Sequence, residues 1–141
     1  VQQHAAGAQV IGVCGGYQML GESIDNVSGL GLLPVRTTMQ PEKTVERVRG
    51  RMTSGSEFDA YEIHMGLTEV CGGEPFAYVN GSSEGVRTGR CIGTYLHGAL
   101  QDRGVCEELG LRYEPFAAPY EALAEWFQSN ADVKLFEELY L

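Results

Sequence analysis

Apolar and polar residues follow one rhythm along this chain as far as position 98 and another beyond it. Residues 9–13 are apolar throughout, which predicts a short strand buried on both faces rather than an edge with one wet side. A short helix is predicted over 16–23, with Tyr17, Met19 and Leu20 on roughly one side. Asp25-Asn26-Val27-Ser28-Gly29 is turn chemistry, and the apolar Leu30-Gly31-Leu32-Leu33-Pro34-Val35 leads into a strand at 35–39. Over 43–52 charged and apolar residues alternate, Val45, Val48 and Met52 against Glu46, Arg47 and Arg49, as in a strand with a solvated side. Further strands are predicted at 59–70, 76–79, 85–87 and 91–96, the last three separated by Asn-Gly-Ser-Ser and Thr-Gly turns.

Beyond Gly98 the period becomes helical. Val105 and Leu109 mark a helix over 102–111, and Tyr120, Leu123, Ala124 and Phe127 form an i, i+3, i+4, i+7 stripe of the kind a helix buries. Trp126 reads as a packing residue, Asn130 as that helix's end, and Asp132 as the N-cap of a last helix with Leu135, Phe136 and Leu139 inward. Together these elements predict an α/β domain with an open, mostly parallel sheet flanked by helices and antiparallel strands in the 43–95 region. The chain opens on Val1, and residues 2–8 read as the end of a helix feeding the first strand. Several βα units normally precede such a strand, so residues 1–141 read as a partial domain whose first strands are missing.

Composition narrows the function. The 141 residues carry a net charge of −9 with only ten Lys and Arg, too few and too scattered to neutralise a phosphate backbone, so nucleic acid is not the expected partner. The apolar runs are too short to span a bilayer and no signal peptide opens the sequence, so a membrane is not expected either. Cys14, Cys71, Cys91 and Cys106 lie far apart, with no C-x-x-C pair and no ligand spacing to His4, His64 or His97. No metal site is therefore expected, and a free thiol suits a reducing, cytoplasmic setting.

The chemistry concentrates in Val10-Ile11-Gly12-Val13-Cys14-Gly15-Gly16-Tyr17-Gln18-Met19-Leu20-Gly21. A strand ends at a cysteine, two glycines permit a sharp bend, and a helix starts: the order of a nucleophile elbow. A helix start favours the negative charge of the attacking thiolate, and the Gly15 N–H is a ready donor to an oxyanion. A buried structural cysteine before a glycine turn is the plainer alternative. A cysteine nucleophile needs a proton carrier, and His97 stands at the end of another strand in Ile92-Gly93-Thr94-Tyr95-Leu96-His97-Gly98. Both residues would meet at the C-terminal edge of the sheet, where open α/β folds place their sites.

These residues carry a resemblance. Val13-Cys14-Gly15-Gly16-Tyr17-Gln18 fits the Cys-x-Gly-x-Gln elbow of class I, triad-type glutamine amidotransferases, which have a flavodoxin-like or Rossmann-like open sheet. Thr94-Tyr95-Leu96-His97-Gly98 is similar to the histidine segment of the cobalamin-biosynthesis branch. With Gly29-Leu30-Gly31-Leu32-Leu33-Pro34 and Tyr61-Glu62-Ile63-His64-Met65-Gly66 in the same order, the stretch resembles the amidotransferase domain of the cobyric acid synthase family. The glutaminase of lipid II amidation has a similar elbow and Gly-Leu-Gly-Leu stretch, and cobyrinate diamide synthases have a different elbow.

The resemblance implies a glutaminase in which Cys14 attacks the glutamine side chain, Gly15 helps hold the oxyanion, His97 moves the protons, and Gln18 and Gly16 bind substrate. It implies that ammonia passes to a synthetase domain, absent from this chain, which binds ATP and Mg²⁺ and activates corrin carboxylates. No cofactor is implied for the domain itself. The glutamate that triad-type members carry two residues after the histidine is replaced here by Ala99, as in the cobalamin branch. Glu62 is a possible partner of His97. His64, two residues from Glu62 and on the same strand face, is either half of a framework pair or a contact to the synthetase or corrin. The family's second oxyanion donor lies upstream of the elbow, so these residues alone are expected to hydrolyse glutamine poorly. A cysteine-elbow hydrolase of the deglycase type and a non-catalytic docking module are the competing classes.

Overall fold

The computed structural model describes residues 7–115, 120–132, 134, 135 and 138. The chain is α/β, with mixed sheets. β1 (Val10–Val13) leads into α1 (Gly15–Leu20), and a small hairpin of β2 (Ser23–Ile24) and β3 (Val27–Ser28) follows. Two long strands, β4 (Val35–Arg51) and β5 (Glu57–Val70), form the main ladder. The short β6 (Ala77–Val79), β7 (Ser82–Glu84), β8 (Val86–Thr88) and β9 (Cys91–Thr94) complete the sheets. A 3₁₀ turn (Ala99–Gln101), α2 (Arg103–Glu108) and α3 (Tyr120–Asn130) follow.

β9 is central to the smaller sheet, parallel to β1 on one side and antiparallel to β8 on the other. All four of its residues are buried, with Ile92 in one apolar cluster and Cys91 in the other. Such two-sided burial suits the continuous apolar run that marks it in sequence. Gly12 and Gly93 are register partners on β1 and β9, and together they make a floor for α1. A Cβ at Gly12 would lie 2.7 Å from the Gly16 backbone, and one at Gly93 would overlap the Tyr17 ring. Without those two glycines α1 could not lie flat on the strand from which it turns.

In the larger sheet β4 pairs antiparallel with β5 along nearly its whole length. Residues 40–43 of β4 lie opposite Met65 alone, an irregularity that contains Pro41, a residue confined to such places in a strand. The inserted residues flip the inward parity, from Val35 and Thr37 before them to Val48 and Gly50 after them. The stretches 35–39 and 43–52, expected as separate strands, are therefore one. Parallel pairing is confined to β1–β9 and β2–β4 among the described residues, so the mostly parallel sheet expected is here a mixed one. The antiparallel pairing read at 43–95 dominates instead. Ser82–Glu84, expected as part of a turn, adds a short strand against β6.

Several helical expectations change. Met19 is 58% exposed and Gln18 is buried in its place, because α1 starts at Gly15 and stops at Leu20. α2 is shorter than 102–111: the Asp102 carboxylate accepts the Val105 N–H at 3.1 Å and caps its start, while Gly110 at φ 67° follows its end. Val105 and Leu109 are buried as read. α3 falls where the stripe predicts, yet Tyr120, Leu123 and Trp126 are exposed, so the packing roles given to the stripe and to Trp126 are corrected. Helical spacing reports what a helix is able to bury, not what the described residues bring to it. Asp132 accepts the Leu135 N–H at 3.0 Å as a cap should, but Leu135 is exposed, and Phe136 and Leu139 lie outside the described residues, as do residues 1–6. No helix among the described residues is long and apolar enough to cross a membrane.

Candidate active site

β1 ends at Val13 and α1 starts at Gly15, so Cys14 alone makes the turn between them. Its backbone sits at φ 54°, ψ −114°, a region where a residue with a Cβ is strained. The strain is held from both sides: the Cys14 N–H donates to the Thr94 carbonyl at 2.9 Å, and the Cys14 carbonyl accepts the Gln18 N–H at 3.2 Å. The half-buried thiol donates to the Ile63 carbonyl at 3.4 Å. A cysteine at the apex of a strained strand-to-helix turn has the backbone geometry of a nucleophile elbow.

His97 follows the neighbouring strand. Val13 and Thr94 are register partners, so His97 leaves the same edge of the sheet three residues after Thr94. It exchanges both backbone hydrogen bonds with Tyr61, at 2.9 and 3.1 Å, and its ring stacks on the Tyr61 ring. Its Nε2 is buried without a hydrogen-bond partner among the described residues. Buried polar atoms are nearly always paired, so this ring nitrogen stands out as one that the described residues do not satisfy. Tyr61 and Ile63 are two residues apart on β5, roughly 7 Å along a strand. One strand thus crosses the ends of β1 and β9 and touches both the thiol and the imidazole.

A cleft of about 820 Å³ lies beside His97, lined also by Arg47, Arg49, Asp59, Tyr61 and Gln101. Arg49 is paired with Glu57 at 3.1 Å, whereas Arg47 has no ion-pair partner among the described residues. The cleft therefore offers a free guanidinium within the same wall as the imidazole.

On the other side of the elbow a chain of polar groups runs inward. The Gln18 Nε2 donates to Tyr95 Oη at 3.1 Å, Tyr95 meets Thr68 Oγ1 at 2.6 Å, and Thr68 meets Thr37 Oγ1 at 2.8 Å. The His64 ring stacks on Tyr95 with centroids 3.8 Å apart. His64 Nδ1 lies 2.8 Å from the Gly66 carbonyl, which only accepts, so this nitrogen carries the proton; Nε2 lies 3.6 Å from the Glu62 carboxylate. Glu84, partly buried, accepts from Thr94 Oγ1 and from the Tyr95 N–H, both at 2.7 Å. Burial pushes its carboxyl up to about 7 against the pull of those two hydrogen bonds, and the nearby Glu62 charge adds to the rise. Burial, with Glu84 and Tyr95 nearby, likewise holds the Tyr17 phenol well above its ordinary range.

The structure places Cys14 and His97 on one edge. Gly15 is exposed at the first turn of α1, and Gly16 is packed over Gly12. Gln18 is buried with its amide nitrogen on Tyr95. Glu62 meets His64, not His97, so the suggested Glu62–His97 pairing is corrected: the β5 pleat sends residue 62 to the face opposite Tyr61. Ala99 is buried, so the site where a third triad member would stand is a packing position. Among the described residues no three His, Cys, Asp or Glu side chains are grouped to hold a metal ion, and all four cysteines are free. Sequence reasoning missed Tyr61, Glu84 and Arg47. Tyr61 stood within a quoted motif and Arg47 within an alternating strand, but a lone acid after two serines gives no local signal.

Comparison with known proteins agrees with this geometry. Residues 1–105 match the family described as the CobB/CobQ-like glutamine amidotransferase domain. Curated relatives include cobyric acid synthases of Rhodobacter capsulatus, 47% identical over 153 residues, and of Cereibacter sphaeroides, 39% identical over 155 residues. These alignments cover 90% and 92% of this chain, and in both cases 32% of the relative. The chain thus spans about a third of the length of the relatives it matches. A solved glutamine amidotransferase shares the fold, with a TM-score of 0.55 at 21% identity, over 73% of this chain and 61% of that one.

Proposed function

The chain belongs to the CobB/CobQ-like glutamine amidotransferase domain family, and from that premise we propose that it is the glutaminase portion of an ATP-driven amide synthase that makes cobyric acid. The observation that carries the reading is the strained Cys14 elbow hydrogen-bonded to the strand that leads to His97. Cys14 Sγ attacks the side-chain carbonyl carbon of glutamine, and the tetrahedral oxyanion is held in part by the Gly15 N–H. His97 takes the thiol proton and delivers it to the departing nitrogen; the C–N bond breaks, ammonia leaves, and a γ-glutamyl thioester remains on Cys14. Water, deprotonated by His97, then cleaves the thioester to glutamate and regenerates the thiol. Gln18 and Gly16 are assigned to substrate binding beside the elbow, and Arg47, which lines the cleft with His97, offers a cation to the glutamine α-carboxylate.

In this reading the domain uses no cofactor of its own. Ammonia passes to an accompanying synthetase portion, where ATP and Mg²⁺ activate corrin side-chain carboxylates, and the whole works in the cytoplasm. Membership of the family does not favour the hydrolase or docking-module alternatives. The test is made on the full-length protein with a glutamine-mimicking chloroketone. Labelling of Cys14 that glutamine suppresses is expected, together with a Cys14→Ser variant that makes product from ammonia and not from glutamine. Labelling indifferent to glutamine, or a serine variant still driven by glutamine, would overturn the reading.

A further inference from the structure

β8 begins at Val86, opposite Gly93, so no β8 residue lies across from Thr94 or Tyr95. The chain before β8 turns away at Gly85, at φ 66°, and the Glu84 side chain supplies the partners instead. One carboxylate oxygen accepts the Tyr95 N–H and the other the Thr94 hydroxyl, each at 2.7 Å. Thr94 Oγ1 accepts the Leu96 N–H in turn at 3.0 Å. A single carboxylate therefore satisfies, directly or through one hydroxyl, the backbone that leaves the sheet for His97.

We propose that Glu84 is the positioning residue of this site: it fixes the 94–97 segment, and through that segment sets His97 against Cys14. The inference rests on the glutaminase reading above. Glu84 contacts no reacting group itself. The segment it holds is tied to each other part of the site: the Thr94 carbonyl takes the Cys14 N–H, Tyr95 Oη takes the Gln18 amide, and His97 pairs with Tyr61. A shift at Thr94 and Tyr95 would move nucleophile, substrate-side glutamine and proton carrier together. The groups acting on the Glu84 carboxyl are Glu62 of β5, Tyr17 of α1, Thr94 at the end of β9 and Tyr95 just beyond it; no cation among them offsets its charge. An acid kept in such surroundings costs stability.

The test compares glutamine-dependent and ammonia-dependent rates in the full-length protein. Glu84→Ala should lower kcat with glutamine by about ten- to a hundredfold, the scale on which a small misplacement of reacting groups acts. The ammonia-dependent rate should stay within about twofold, since that reaction bypasses the site that Glu84 positions. Glu84→Gln keeps an oxygen for Tyr95 and a hydrogen-bonding group for Thr94, and should return kcat to within about threefold. An alanine variant at the wild-type rate, or a folded glutamine variant as slow as the alanine one, would overturn the proposal. Should the alanine variant fail to fold, the glutamine variant decides alone: retained kcat with a changed pH profile near neutrality supports it, and a tenfold loss or an unchanged profile refutes it. Failure of the underlying reading looks different, because then the wild-type protein itself shows no glutamine-dependent rate.

Discussion

The rings of Tyr61 and His97 lie parallel, 9° between planes and 4.9 Å between centroids, and their backbones form an isolated antiparallel bridge. The orientation of the imidazole is thus set by an aromatic neighbour, with buried Ala99 where related triads carry a carboxylate. An aromatic pair of this kind contributes about 0.5–1.5 kcal/mol, or about 2- to 12-fold in rate if the whole effect falls on orientation. Tyr61→Ala is expected to lower kcat for glutamine by that range, and Tyr61→Phe, which keeps the ring, to leave it unchanged. Steady-state glutaminase kinetics on both variants check this.

Cys14 occupies a backbone conformation that glycine adopts without strain. Strain at such a position is about 1–3 kcal/mol, partly offset by about 0.5–1 kcal/mol of extra chain entropy when glycine replaces another residue. Cys14→Gly should therefore raise the melting temperature by a few degrees while abolishing the glutamine-dependent reaction. Cys14→Ser should abolish the reaction without the rise. Calorimetry of the two variants side by side separates strain from chemistry.

Arg47 stands in the cleft with His97 and without an ion-pair partner among the described residues. A hydrogen bond to a charged group contributes about 1.5–3 kcal/mol, so Arg47→Ala should raise the KM for glutamine by about ten- to a hundredfold. The ammonia-dependent rate should be unaffected. A KM unchanged by the substitution would remove Arg47 from the substrate site.

Glu84 makes stability depend on pH in a definite sense. Its folded-state carboxyl is raised from 4.5 to about 7, so between those values the folded protein holds a proton that the unfolded chain has lost. Stability from this group is therefore present below about pH 4.5 and is lost as pH rises through about 7. Glu84→Gln, which has no proton to lose, should flatten that part of the curve. Urea denaturation midpoints taken from pH 4.5 to 8 measure the slope.

What the sequence made legible was local. The elbow could be read because a β-branched run, a cysteine and two glycines state a strand, an apex and a helix start within a few residues. His97 could be read because it ends an apolar run. The long β4–β5 ladder was read as three pieces, since an insertion around Pro41 breaks the alternation on which the reading depends. Tyr61 and Glu84 gain their roles from pairings 36 and 11 residues distant, His97 with Tyr61 and Tyr95 with Glu84, which no window of periodicity contains. The stripe on α3 was visible, but whether a stripe is covered depends on residues elsewhere.

In the ribbon formed by β4 and β5, residues 41–47 are all in contact with solvent, and residues 44–47 lie directly opposite the β5 stretch that bears on Cys14 through Ile63 and on His97 through Tyr61. That arrangement is a yoke. A displacement of this paired stretch would be felt at sulfur and imidazole together.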